Sequence, residues 1–326
     1  MGFLDSLKPN RVPTTLQGNI MIYGMPKSGK TSTIFNLYKD KAIFLAFERG
    51  YLFLDGVIAL DMTKPSDVTK IVRELKNDGR KTFDTVVFDV VDIFAKMYET
   101  YVCQMNNVQE LSGIAWGGGW KKWEDECEKV IQELERAGYN LVFISHASPK
   151  TMIKYNEDGK EVEYEKIMPT CPKRIMNLVT KRCDHIFFID QEVENGKSVR
   201  YVYTRDCEHH MAGSRMSKLP EKILLDAKVL QEEIKKAVNA EENTTNEEVK
   251  PIVVKEVNFD EIKEEVTQLV MNHFYPDNMA MVTKITDEVC GVGVKVNDLE
   301  PHQAEMLEII KIKLEEKIDE LKKIIK

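Results

Sequence analysis

Eight consecutive residues carry the sharpest chemical signal in the chain: Gly24-Met25-Pro26-Lys27-Ser28-Gly29-Lys30-Thr31, a G-x-x-x-x-G-K-T segment followed by Ser32. Glycines at this spacing let successive backbone N–H groups turn toward one point. A helix starting just after adds its positive end, so the loop suits a polyphosphate. Lys30 would reach the terminal phosphates of a nucleoside triphosphate, and the Thr31 hydroxyl would ligate Mg²⁺. The context agrees: the apolar run Ile20–Tyr23 leads straight into Gly24, and Thr31 to Leu37 reads as helical. Gly24 through Ser32 are therefore the candidate nucleotide-binding residues, with ATP and Mg²⁺ as the expected ligands.

A phosphate-bound magnesium needs an acidic partner from another strand. Thr85-Val86-Val87-Phe88-Asp89 supplies one, a β-forming run that ends in a carboxylate; Asp92, one helical turn on, is the weaker choice. Hydrolysis also needs a carboxylate that orients water. Val90, directly after Asp89, cannot do this, but the strand after the P-loop helix runs Ile43–Phe47 into Glu48-Arg49-Gly50. Glu48 is then the candidate base, unless it is a surface carboxylate paired with Arg49. His146, closing the run Leu141-Val142-Phe143-Ile144-Ser145, could sense the terminal phosphate or could be a core histidine bonded to backbone.

These segments together resemble the RecA-like ATPases, in particular the phage-type AAA-domain proteins grouped with single-strand annealing and recombination ATPases. The resemblance runs from about Asn19 to Asp226 and includes Ala212–Pro220, similar to that group's closing motif. It implies a RecA-like core whose fourth strand lies between the P-loop strand and the Asp89 strand. It further implies ATP hydrolysis, action on single-stranded DNA in recombination or replication, and a homo-oligomer completing each site with a neighbour's cation. Arg200, Arg205, Arg215 and Lys218 are the candidates for that cation. Arg205 and Arg215 are favoured because both follow the last strand among turn-forming residues, although either could be a solvated surface charge.

The elements needed to hold these residues are legible as an α/β alternation with a mainly parallel sheet and edge hairpins. Five buried strands are predicted: 19–23, 42–47, 85–89, 140–145 and 185–190. A helix over 120–137 follows from Trp123, Cys127, Val130, Ile131 and Leu134 at helical spacing, with Gly138 as its stop. Asn156-Glu157-Asp158-Gly159 and Glu194-Asn195-Gly196-Lys197 signal hairpins. The polar stretch around NAEENTTNEEVK separates an ATPase domain, 1–238, from a helical C-terminal domain, 258–326, through a linker at 239–257. In the last domain Leu307, Ile310, Leu314, Ile318, Leu321 and Ile325 form one stripe.

Ile114-Ala115-Trp116-Gly117-Gly118-Gly119-Trp120 reads either as a base-stacking loop or as a tight corner packing the helix after it. Lys173, Arg174, Lys181 and Arg182 could form a short basic stripe. The whole chain has 326 residues and a net charge of -8, which argues against a broadly basic nucleic-acid coat. No run has the length of a membrane helix and the first sixteen residues lack a signal-peptide pattern, so a cytoplasmic protein with reduced thiols is expected. Cys207, His209 and His210 raise a metal site without a second ligand pair. Two other classes remain open: an ATP-dependent regulator or scaffold with little turnover, and a small-molecule kinase, the latter weakened by the missing arginine-rich lid.

Overall fold

The computed structural model describes residues 12–13, 16, 18–156, 159–240, 244–245 and 257–324. The chain divides into two compact units, Met1–Val253 and Val254–Lys326. Apart from a two-residue pairing of Val12–Pro13 with Thr244–Thr245, the first runs β1 (Ile20–Gly24), α1 (Lys30–Tyr38), β2 (Ala42–Ala46), β3 (Ala59–Asp61), α2 (Pro65–Asp78), β4 (Thr85–Asp89), α3 (Val91–Met105) and α4 (Gly118–Arg136). It continues β5 (Asn140–Tyr155), β6 (Glu161–Pro169), α5 (Lys173–Thr180), β7 (His185–Glu194), β8 (Lys197–Tyr203), β9 (Gly213–Ser214), β10 (Lys222–Leu224) and α6 (Ala227–Asn239).

The ten strands form one sheet in the order β10-β8-β7-β1-β5-β4-β2-β3, with β6 paired to β5 and β9 to β7. From β7 across to β3 the main pairings are parallel, while β8, β9, β10 and β6 join antiparallel. As the resemblance implied, β5 separates the P-loop strand from the Asp89 strand. Strands β1, β2 and β4 are buried along their whole length, as befits a parallel sheet covered on both faces. Period-two alternation divides them: Met21, Leu45, Phe88 and Phe143 pack against α2 to α5, and Ile22, Phe44, Val87 and Ile144 against α1 and α6.

One reading of the sequence changes in detail. β5 does not stop at Ser145 but runs sixteen residues to Tyr155, because beyond His146 it pairs with β6 from Ala147↔Pro169 to Tyr155↔Glu161. Pro149-Lys150-Thr151 interrupts the apolar pattern without interrupting the backbone ladder. The turn residues Glu157 and Asp158 lie outside the described residues. The second hairpin turns at Asn195 and Gly196, both with positive φ (50° and 76°), as a two-residue loop between right-twisted strands requires.

In the second unit α7 (Phe259–His273), α8 (Met279–Cys290) and α9 (Ala304–Ile324) enclose a core including Val266, Phe274, Leu307, Ile310 and Leu314. Asn258 caps α7 by accepting from the backbone N–H groups of Asp260 and Glu261. Most of the expected linker, and Ile325 of the expected stripe, lie outside the described residues. Among the described residues no helix is long and apolar enough to cross a membrane.

Candidate active site

Strand order sets the site before any side chain is placed. β1 is where the sheet's order reverses: the chain leaves it for β2, beyond β5 and β4, and later returns to β7 on its other side. Crevices in open α/β sheets form at such a point, outside the carboxyl ends of the strands. Register then brings the expected residues to one edge, with Gly24 opposite His146 and Ala46 opposite Asp89. The backbone N–H groups of Phe47 and Glu48 both donate to the Asp89 carbonyl, at 2.7 and 3.1 Å, so Glu48 is held beside Asp89.

A cavity of about 520 Å³ opens there, lined by Lys30, Thr31, Glu48, Asp89, His146 and Arg200 along with other P-loop residues and Gly50. Pro26, Lys27, Gly29 and Ser32 also line it, whereas Gly24, Met25 and Ser28 do not. Gly24 ends β1, where a Cβ would stand 2.6 Å from the Ile189 carbonyl oxygen. Gly29 takes φ +100°, the left-handed turn that starts α1.

Lys30 is buried, and its Nζ donates to the carbonyls of Gly24 and Met25, each at 2.9 Å. Burial lowers its pKa, and the charges of Asp89, Glu48 and Asp92 act the other way. The Thr31 hydroxyl donates to Asp89 Oδ2 at 3.1 Å. Asp89 is fully buried, and burial pushes its carboxyl up to about 6; the Thr31 hydrogen bond opposes that, Glu48 adds to it, and Lys30 counters it. A carboxylate so desolvated, touching a hydroxyl and facing open volume, fits a divalent cation that would satisfy both oxygens. Gly50 keeps that volume free: its Cβ would stand 3.5 Å from Thr31 Oγ1 and 3.7 Å from Asp89 Oδ2. Among the described residues His146 Nδ1, on a side chain that lines the cavity, is buried without a hydrogen-bond partner.

Glu48 and His146 meet, Oε2 to Nε2, at 3.4 Å. Neither bland alternative describes them: Arg49 pairs with Asp61 at 2.9 Å, and His146 faces a carboxylate, not backbone. Asp92 does not line the cavity and accepts from Ser145 Oγ (3.1 Å) and Thr170 Oγ1 (2.5 Å).

The favoured arginines lie elsewhere. Arg205 is enclosed in its own loop, its guanidinium donating to the carbonyls of Thr204, Ser214, Met216, Ser217 and Leu219. Arg215 is exposed and paired with Asp184 at 3.1 Å, beside the start of β7 and so at the amino ends of the parallel strands, whereas its own P-loop lies at their carboxyl ends. The arginine in this cavity is Arg200, whose Nη1 donates to the Ser28 carbonyl at 3.3 Å. Its signal was the antiparallel return of β8, which folds residue 200 back over the loop. Cys207 Sγ lies 3.2 Å from His210 Nδ1, and the described residues hold no group of three or more His, Cys, Asp or Glu placed for a metal.

The family model described as the AAA domain matches residues 17–216, which span β1 to β9 and every residue lining the cavity. A second model, the Sey1 three-helix bundle domain, matches residues 128–325. That span starts inside α4 and takes in β5 to β10, so only α7–α9, a packed trio of helices, agree with its description. A curated relative is the SPbeta prophage-derived uncharacterized protein YorG of Bacillus subtilis (strain 168), 26% identical over 314 residues and covering 90% of this chain and 92% of that protein. Among solved structures, a KaiC-like protein, PH0186 from Pyrococcus horikoshii OT3, is 13% identical with a TM-score of 0.35, covering 66% of this chain and 94% of that one.

Proposed function

We propose, for a chain that belongs to the AAA-domain family, that it binds Mg·ATP in the β1 cavity, hydrolyses it, and couples turnover to single-stranded DNA. One observation carries the reading: P-loop, Thr31–Asp89 pair, Glu48–His146 pair and Arg200 converge on one 520 Å³ cavity. The loop amides and Lys30 bind the phosphates. Magnesium, held by Thr31 and Asp89, would neutralise charge on them. Glu48 orients the attacking water and accepts its proton, while His146, touching Glu48, fixes the carboxylate's direction. Arg200 offers positive charge from the same chain, and Arg215 remains the candidate to reach a neighbour's site in an oligomer. The coupling to DNA rests on the phage-type resemblance and on a surface described in the next subsection.

Phosphate release by wild type and Glu48→Gln, with ATP affinity measured in parallel, tests the chemistry. Glu48→Gln should keep its affinity and lose on the order of 10²-fold or more in turnover. Equal turnover would remove Glu48 from the mechanism. Wild type that binds ATP with negligible hydrolysis, with or without oligonucleotide, would instead favour an ATP-dependent scaffold.

A further inference from the structure

Trp116 stands wholly exposed, with a relative accessibility of 103%, and it holds φ 59° and ψ 26°. The left-handed region costs a bulky residue on the order of 1 kcal/mol or more, and such strain clusters where a side chain is displayed for use. Four residues on, Trp120 is 40% exposed and packs edge-on against Trp123, centroids 6.0 Å apart. Trp123 is in turn fixed in the core, its indole N–H donating to the Ala95 carbonyl at 2.8 Å. Trp120 therefore presents a ring braced from behind.

Beside it lies an open groove of about 600 Å³, lined by Trp120, Lys173, Arg174, Asn177 and Lys181 among others. Lys173, Asn177 and Lys181 recur every four residues along α5 and are exposed. The basic stripe read from sequence is smaller than its four members. Arg182 is taken up by Glu128 and Glu135, and Arg174 by Glu124, the groove's own acid. Lys173 and Lys181 have no ion pair among the described residues, which leaves two free charges beside the half-exposed ring of Trp120.

We propose that this groove, between the start of α4 and the exposed face of α5, binds an unpaired DNA strand, a base stacked on Trp120, its phosphates met by Lys173 and Lys181, and the strand continuing onto Trp116, which stands four residues before Trp120 and outside the groove lining. The inference rests on the ATPase reading above and names the surface that reading lacks. Aromatic faces take bases only from an unpaired strand, since a duplex has already stacked them. Two free lysines beside an exposed ring suit a flexible polyanion better than a flat acidic protein face. One short segment links the groove to the nucleotide site: Thr170, three residues before Lys173, donates its backbone N–H to the carbonyl of His146 at 2.9 Å and its hydroxyl to Asp92.

The test is anisotropy of a labelled oligo(dT) longer than about 16 nucleotides, with the full chain, Mg·ATP and two salt concentrations. Trp116→Ala and Trp120→Ala should each weaken binding about 5- to 150-fold, the range of a lost stacking partner. Lys173→Glu with Lys181→Glu should weaken it and make the salt dependence shallower by about one to two in log–log slope. ATP affinity should hold in all of them, and Trp116, being wholly exposed, can be removed without loss of fold. If wild type binds DNA and these variants bind equally well, the groove is wrong and the DNA reading stands. If wild type does not bind at low salt, both fall. Equal or tighter binding of oligo(U) or of duplex would overturn an unpaired DNA strand as the occupant.

Discussion

The ammonium of Lys30 lies inside its own loop, hydrogen-bonded to the Gly24 and Met25 carbonyls, and not on a solvated surface as a loop lysine would suggest. Lys30→Ala would therefore open a hole as well as remove a charge. Lys30→Met keeps the packed stem and is the better probe. Calorimetry should find Mg·ATP affinity reduced on the order of 10²-fold or more, since at least one charge-assisted bond to phosphate is lost. Its melting temperature should stay close to wild type. His185 offers a residue-scale test of stability. Its ring bonds Ser214 Oγ at 2.8 Å, and burial lowers its pKa from 6.5 to about 4, with Asp184 opposing and Arg215 and Arg205 reinforcing the shift. The unfolded chain then binds a proton that the folded one refuses, so stability is full above pH 6.5 and falls as pH drops toward 4. Between pH 7.5 and 5, wild type should lose about 1–2 kcal/mol more than His185→Asn in urea melts. An equal loss in both would assign the acid sensitivity elsewhere.

At the scale of elements, the Gly117-Gly118-Gly119 corner shows what its glycines do. Gly117 needs its positive φ of 69°, and a Cβ on Gly119 would stand 2.2 Å from the Leu111 carbonyl oxygen. Gly118 has helical φ −61° and its nearest neighbour for a Cβ is Ile114 Cγ2 at 3.7 Å. Gly119→Ala should therefore destabilise by about 1–3 kcal/mol, because the obstruction is backbone. Gly118→Ala should be neutral or stabilise by up to about 1 kcal/mol through the unfolded chain. Urea midpoints of the two variants check the contrast, and identical midpoints would contradict the packed corner. The tight corner ahead of the helix is present, with Trp123 in the core, while Trp116 stands exposed. The helix itself was legible, since Trp123, Cys127, Ile131 and Leu134 keep a strict helical period and are all buried.

For the whole molecule the open quantity is how many chains make one working site. Arg200 lies in its own chain's cavity, whereas Arg215 lies outside it and pairs with Asp184. If sites are shared, mixing Arg215→Ala with Lys30→Met should restore turnover, since one interface regains both parts, and the protein should sediment as an oligomer with ATP. If Arg200 suffices, Arg200→Ala alone should lose on the order of 10²-fold or more in turnover, and the mixture should match the sum of its parents. A net charge of -8 sets a further condition at this scale: the proposed DNA affinity would have to come from a small local patch and fade quickly with salt.

Glu48, Asp89 and the P-loop were legible in sequence because each depends on local order: an apolar run, a turn, and a carboxylate at a strand's end. The fold class followed from the same alternation, and the sheet order from resemblance. Which arginine meets the cavity was decided only by tertiary structure. Arg200 reaches Ser28 across 172 residues through the antiparallel return of β8. Arg205 reads as a free turn residue until five carbonyls between 204 and 219 close around it. The basic stripe shrank for the same reason, as α4 brings Glu124, Glu128 and Glu135 against Arg174 and Arg182. Periodicity tells which face of an element is buried; which charges are left free depends on what packs across from it, and that is fixed only when the chain closes on itself.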